Sequence, residues 1–222
     1  MIPIPSGGKD FEPVPKGTHI ARCYRLLHLG TQQVEWQGKK KHQVKILISW
    51  ELPNALTTPT DEYPEAKPFT MHKRLTLSLD ERGALRPLLA SWVPELDLNH
   101  AEMTGEIDLE ELIGRTCMIM VVHEDNPKGG VWSNIGSIMP IPDGIGACPE
   151  PVNMPAYLWL DDQGENGDVF EGLSENLQAT ILKAPESVVW NQNRGIHRTG
   201  EQIDGDLDSV MGSATPVSDD EI

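Results

Sequence analysis

Val44–Glu51 (VKILISWE) sets Val44, Ile46, Ile48 and Trp50 on one face of an extended chain and Lys45, Leu47, Ser49 and Glu51 on the other. That is the period of two of an amphipathic strand. Phe69–Leu79 (FTMHKRLTLSL) repeats it, with Met71, Lys73, Leu75, Leu77 and Leu79 opposite Thr70, His72, Arg74, Thr76 and Ser78. Both read as half-buried strands with one polar face. Upstream, Gly17–Leu29 (GTHIARCYRLLHL) mixes apolar and cationic residues on both faces, as a strand partly covered on each side does. Downstream, Thr116–His123 (TCMIMVVH) is a continuous apolar run, and Val131–Met139 (VWSNIGSIM) alternates again. Between these two, Glu124–Gly130 (EDNPKGG) has the Asn, Pro and Gly of a hairpin loop.

One helix interrupts the strands. Asp80–Trp92 (DERGALRPLLASW) has an N-cap candidate in Asp80 and Leu85, Leu88, Leu89 and Trp92 on one side, with Pro87 limiting its regularity. A helical turn is expected at Asp108–Leu112 and a small amphipathic helix at Ser174–Lys183, while the aperiodic run IPDGIGACPEPVNMP after Pro140 reads as a strap over the surface. Five strands with a helix between the third and fourth is the element order of the OB-fold, a partly open barrel that binds oligonucleotides across its second and third strands. The expected architecture is thus mainly β. Residues 1–145 would form a five-stranded OB-like barrel with short helices, 146–198 a C-terminal extension with a short helix, and 199–222 a disordered acidic tail.

The length of 222 residues fits one domain with appendages. With 18 Lys+Arg against 34 Asp+Glu, the formal net charge of −16 argues at first against a polyanion partner. The charge is unevenly spread: residues 1–75 hold 11 bases and 7 acids, 76–135 hold 4 and 11, and 136–222 hold 3 and 16. Thr199–Ile222 has seven acids, no bases and no aromatics, too little apolar surface to offset the entropy of ordering it. Cys23, Cys117 and Cys148 are odd in number and widely spaced, which argues against a disulfide framework or a cysteine zinc site and for a reducing cytoplasm. The N-terminus lacks the charged and apolar regions of a signal peptide, and no stretch approaches the ~18 apolar residues of a membrane span. A cytoplasmic location with no membrane partner is expected.

Trp36-Gln37-Gly38-Lys39-Lys40-Lys41-His42-Gln43-Val44-Lys45 puts four lysines and an aromatic in the connection between the first two strands. Lysines neutralise phosphates and aromatic faces stack bases, so such a loop suits a single-strand groove; a solvated hairpin tip is the competing reading. Arg22, Arg25, Lys45, Lys73 and Arg74 are nucleic-acid-binding candidates; Arg22 and Arg25 should face opposite ways, as should Lys73 and Arg74, so Lys45, Arg74 and one of the two first-strand arginines could make a cationic stripe. Pairing with Glu51 or Glu35 is the competing use of these cations. Trp36, Tyr63 and Trp132 are stacking candidates, Lys128 adds a cation beside Trp132, Trp50 and Trp92 read as core, and Trp159 and Trp190 as covers on the extension. No catalytic constellation, cofactor motif or metal site is expected. His123-Glu124-Asp125 are adjacent potential ligands, but neighbouring strand residues diverge.

Two resemblances bear on function. Ser218-Asp219-Asp220-Glu221-Ile222 resembles the acidic tip of bacterial-type single-stranded-DNA-binding proteins, in which acids followed by apolar residues dock onto replication and repair partners. That pattern usually closes with Pro and Phe; here the apolar residue is Ile222. The resemblance implies partner binding through Asp219, Asp220, Glu221 and Ile222. Pro15–Cys23 (PKGTHIARC), Leu29–Gln32 (LGTQ), Trp50–Pro53 (WELP) and Lys73–Leu79 (KRLTLSL) resemble a family of bacteriophage replication-module proteins associated with single-stranded-DNA binding, over roughly residues 13 to 160. It implies a non-catalytic protein, in the host cytoplasm if phage-encoded, that coats single-stranded DNA in replication and recombination, with homo-oligomers allowed. Two alternatives stay open: an acidic interaction factor that mimics DNA or blocks a nucleic-acid-binding partner, and a metal-dependent nuclease using His123, Glu124 and Asp125.

Overall fold

A computed structural model of the chain describes residues 12–36, 38–61, 64–127, 130–160 and 166–193. Its first two strands, β1 (Gly17–Trp36) and β2 (Lys39–Leu56), are much longer than their apolar patterns. Gly30 stays within β1 at φ 70°, and Gly38 turns the chain at φ 73°. Lys39, Lys40 and Lys41 are therefore the first residues of β2, not members of a loop. A turn this short needs the left-handed backbone that glycine adopts without steric penalty.

The remaining strands are β3 (Pro68–Thr76), β4 (Thr116–Asp125), β5 (Val131–Met139) and β6 (Ala156–Leu158). They pair in the order β3-β2-β1-β4-β5, with β6 joining β1 off this path. The β1–β4, β2–β3 and β4–β5 ladders are antiparallel. The sheet is not closed into the expected barrel: no ladder joins β3 to β5 among the described residues, although the two strands approach within 8 Å between Cα atoms. The Ile138 carbonyl of β5 accepts instead from the Ser91 hydroxyl of α1 (Leu85–Trp92).

Helix α1 begins five residues later than Asp80 because that carboxylate is engaged locally, accepting from the Arg82 backbone and guanidinium. Pro87 then falls in the first turn, where backbone N–H groups have no helical partner to lose. The turn expected at Asp108–Leu112 is a 3-10 turn at Glu110–Leu112. Helix α2 (Leu98–Thr104) was not expected; Asp97 caps its start through the His100 N–H at 2.9 Å, and Gly105 ends it in the left-handed conformation.

The chain divides into two compact units: Met1–Leu27 with Lys45–Tyr157, and His28–Val44 with Leu158–Ile222. In the first, Ile46, Ile48, Trp50 and Leu52 pack with Phe69, Met71 and Leu75 across the β2–β3 ladder. Trp50 meets Trp92 edge to face, with ring centroids 5.5 Å apart. Cys117, Ile119 and Val121 of β4 continue this apolar face. In the second, the far half of the β1–β2 hairpin is grouped with β6's Leu158 and three helices, α3 (Gly167–Glu171), α4 (Glu175–Leu182) and α5 (Glu186–Asn193). Helix α4 matches the expected amphipathic segment. Trp190 is fully buried against Phe170, a core residue of this unit and not a cover, and Trp159 stacks on His28 at 4.3 Å.

Candidate nucleic-acid interface

The β2–β3 register fixes which residues share a surface. Lys45, Leu47, Ser49 and Glu51 lie opposite Thr76, Arg74, His72 and Thr70, on the face turned away from the Trp50 core. This outer face is not the simple polar surface that alternation suggests, since every residue from Ile46 to Leu52 is buried. Its cover comes from side chains and chain remote in sequence. Tyr24 lies over Ser49 and Thr70, with its phenol pushed up mainly by burial. Glu51 is fully buried and accepts from the backbone N–H groups of Val152 and Asn153 and from Asn153 Nδ2, the last at 2.8 Å.

The cations gather around this surface. Arg74 is exposed opposite Leu47, and Lys45 donates to Thr76 Oγ1 at 3.1 Å. Arg25 Nε donates to Ser49 Oγ at 3.4 Å, its guanidinium carbon 5.4 Å from the centre of the Tyr24 ring. Arg22 pairs in register with Thr116, on the side opposite the fully buried Ala21 and Cys117. The expectation that Arg22 and Arg25 part company is therefore corrected: Arg25's long arm reaches the outer face that Arg22 occupies. His72 completes the group; loss of solvation and then the Arg25 charge push its imidazole down to about 4, so it stays neutral near pH 7.

Lys73 is different. It sits opposite Ile48 and faces the core side, half-buried, so it does not join the stripe. Lys39, Lys40 and Lys41 are exposed on β2 in the second unit. The backbone of Trp36 belongs to β1, but its side chain, along with Tyr63, Lys128 and the tail residues Asp219, Asp220, Glu221 and Ile222, lies outside the described residues. Trp132 is 44% exposed, opposite Glu124 near the β4–β5 turn. Eight residues along β4 from the level of Arg22, or about 26 Å at the usual strand rise, separate it from the cationic group. The structure does not bring Trp132 together with these cations.

Electrostatically, the ion pairs between described residues include Arg82–Asp80, Arg86–Glu102, and Arg115 with Glu95 and Glu111. Arg22, Arg25, Lys39, Lys40, Lys41, Lys73 and Arg74 take part in none of them. Pairing with Glu51 was the competing use of the stripe cations, and that carboxylate is already occupied by Val152 and Asn153. Tyr24 and Ser49, which seat Arg25, carried no sequence signal beyond their strand positions.

Two of the three residues proposed for a nuclease are engaged elsewhere. His123 Nε2 lies 2.7 Å from the Val14 carbonyl, and Glu124 accepts from Asn134 Nδ2 at 2.8 Å. No group of three His, Cys, Asp or Glu residues able to hold a metal ion occurs among the described residues. Nor is any helix among them long and apolar enough to cross a membrane. Comparison with protein-family models and with curated proteins finds no match.

Proposed function

We propose that the chain binds single-stranded nucleic acid, DNA in the first instance, without catalysis, over the outer face of β1, β2 and β3. The observation that carries this reading is the convergence of Arg22, Arg25, Lys45 and Arg74 on one face, where the three arginines have no acidic partner among the described residues. Arginines without an acidic partner neutralise phosphates and release their counterions, which supplies affinity without reading sequence.

The strand order supports an OB-like assignment. The path β3-β2-β1-β4-β5 with a helix between β3 and β4, and with its two end strands drawn together, has the connectivity expected of that fold, whose ligands cross the second and third strands. A role in phage replication or recombination, and recruitment of partner proteins through Asp219, Asp220, Glu221 and Ile222, rest on the sequence resemblances and extend the same proposal.

The test is a titration of labelled oligothymidylate followed by anisotropy at graded salt, with a parallel incubation in Mg²⁺ or Mn²⁺. Saturable binding that weakens steeply with salt, with the oligomer left intact, is the expected result. Cleavage would favour the nuclease. Failure to bind at low salt, combined with retention of a basic nucleic-acid-binding protein, would favour an acidic interaction factor.

A further inference from the structure

The strap of residues 140–155 crosses the very face to which the cations have been assigned, and it is held there by little. Not one residue from Pro140 to Pro155 is buried, five of them are prolines, and Val152 and Met154 are 64% and 84% exposed. Its ties to the sheet include the hydrogen bonds to Glu51 from the N–H groups of Val152 and Asn153 and from Asn153 Nδ2. A segment with exposed backbone and no buried apolar side chain opens locally at low free-energy cost.

What lies beneath it is informative. Arg22 Nη1 is buried and has no hydrogen-bond partner. A guanidinium donor shut away from water without an acceptor is costly, and such an orphan calls for an explanation. The strap's Cys148 sits in the fields of both Arg22 and Glu51: burial pushes its thiol up, the Arg22 charge opposes that shift, and Glu51 adds to it. The cover thus spans an unsatisfied cation and the carboxylate that fastens it.

We propose that the 140–155 strap is a displaceable cover, latched by Glu51, and that lifting it opens Arg22 as a further phosphate site on the cationic face. This rests on the nucleic-acid reading above and adds a regulatory element to it. In the closed state Arg25, Lys45 and Arg74 receive the strand; in the open state the orphaned Arg22 donor gains a phosphate oxygen, which offsets loss of the bonds to Glu51.

Two measurements test the proposal. The first is backbone amide exchange at Val152 and Asn153 with and without oligothymidylate. The second is oligothymidylate affinity for the wild type, Asn153→Ala, Arg22→Gln and the double variant. Asn153→Ala removes one bond of the latch while leaving the Glu51 charge in place, so a gain in affinity would not come from a lost acid. The expected results are faster exchange at both amides on binding, and affinity for Asn153→Ala several-fold and up to about tenfold tighter, the equivalent of one charge-assisted hydrogen bond no longer opposing opening. Arg22→Gln should cancel that gain. If oligothymidylate binds while exchange is unchanged and Asn153→Ala matches the wild type, the strap is a fixed part of the fold and the inference falls, with the nucleic-acid reading intact. If neither protein binds at low salt, the reading itself fails and the cover with it.

Discussion

Replacing Arg74 by Gln removes one exposed cation from the outer face, opposite Leu47, without touching the Trp50 core. Four cations reach that face in the open state, namely Arg22, Arg25, Lys45 and Arg74. For single strands each phosphate neutralised contributes about 0.7 to the slope of log K against log salt, so four give a slope of about −2.8 and roughly 50-fold weaker binding between 50 and 200 mM salt. With Arg74→Gln the slope should fall to about −2.1 and the loss over the same range to about 20-fold. Anisotropy titrations of oligothymidylate at four or five salt concentrations measure both slopes. A variant with the wild-type slope would place Arg74 outside the interface. A wild-type slope near −5 would mean that the three lysines at the start of β2 also hold phosphates, since seven contacts predict about −4.9.

Lys39, Lys40 and Lys41 changed together to Ala test that second possibility; on the present reading the slope stays near −2.8, whereas a drop of about 2 would enlist them. Gly30→Ala should destabilise the second unit by about 2–5 kcal/mol, the sum of roughly 1–2 for a left-handed non-glycine and roughly 1–3 for overpacking. The added Cβ at φ 70° would stand 2.4 Å from the Ala184 Cβ, and urea unfolding reads the loss. Trp92→Ala should cost about 3–5 kcal/mol by emptying the site against Trp50, measured in the same way. The second unit should also weaken in mild acid. His28 is held below its ordinary value by burial, partly opposed by Glu186, so between that lowered value and about 6.5 the unfolded chain binds a proton that the native state refuses. Stability is then full above about pH 6.5 and falls as the pH drops below it, and His28→Gln should flatten the urea midpoint between pH 7.5 and 5.5.

Period-two patterning was enough to place Ile46, Ile48 and Trp50 in the core and to pair their strand with Phe69, Met71 and Leu75, because local alternation and burial agree there. It did not anticipate that Ser49 and Glu51 are buried as well. Their covers are Tyr24 and a segment about 100 residues downstream, and no local period encodes a contact of that separation. The same limit explains the strand ends. Gly30 looks like punctuation in sequence, yet it continues β1 because Ala184, at the corner between α4 and α5, needs the space that a side chain would take. Lys73 and Arg74 were separable by parity alone, but only the register with Ile48 and Leu47 decides which of them faces outward. Arg25 escapes parity altogether, since a side chain of its length can curl to Ser49 and the Tyr24 ring. Helix α2 did carry legible caps in Asp97 and Gly105, but its seven residues are too few for a helical period to stand out.

The charge distribution has a mechanistic consequence that the net value of −16 conceals. Partner selection at ordinary salt depends on charge within about 10 Å, the screening length near 0.1 M, so distant acids contribute little to a phosphate seated on the outer face. One acid on that face is Glu51, and it is covered by Val152 and Asn153. A latch built on a carboxylate has a cost as well as a use: when the strap lifts, Glu51 is exposed on the same face as the phosphates and repels them. Opening therefore favours a polyanion only if Arg22 compensates, which ties the two residues into one device. Removing Arg22 alone should then weaken binding by less than the single contact it supplies, because the strap stays closed over Glu51 while Arg25, Lys45 and Arg74 still receive the strand. Glu51→Gln should tighten binding while Arg22 is present and change it little once Arg22 is gone. A double-mutant cycle over Glu51→Gln and Arg22→Gln reads this coupling directly, and simple additivity of the two changes would contradict it.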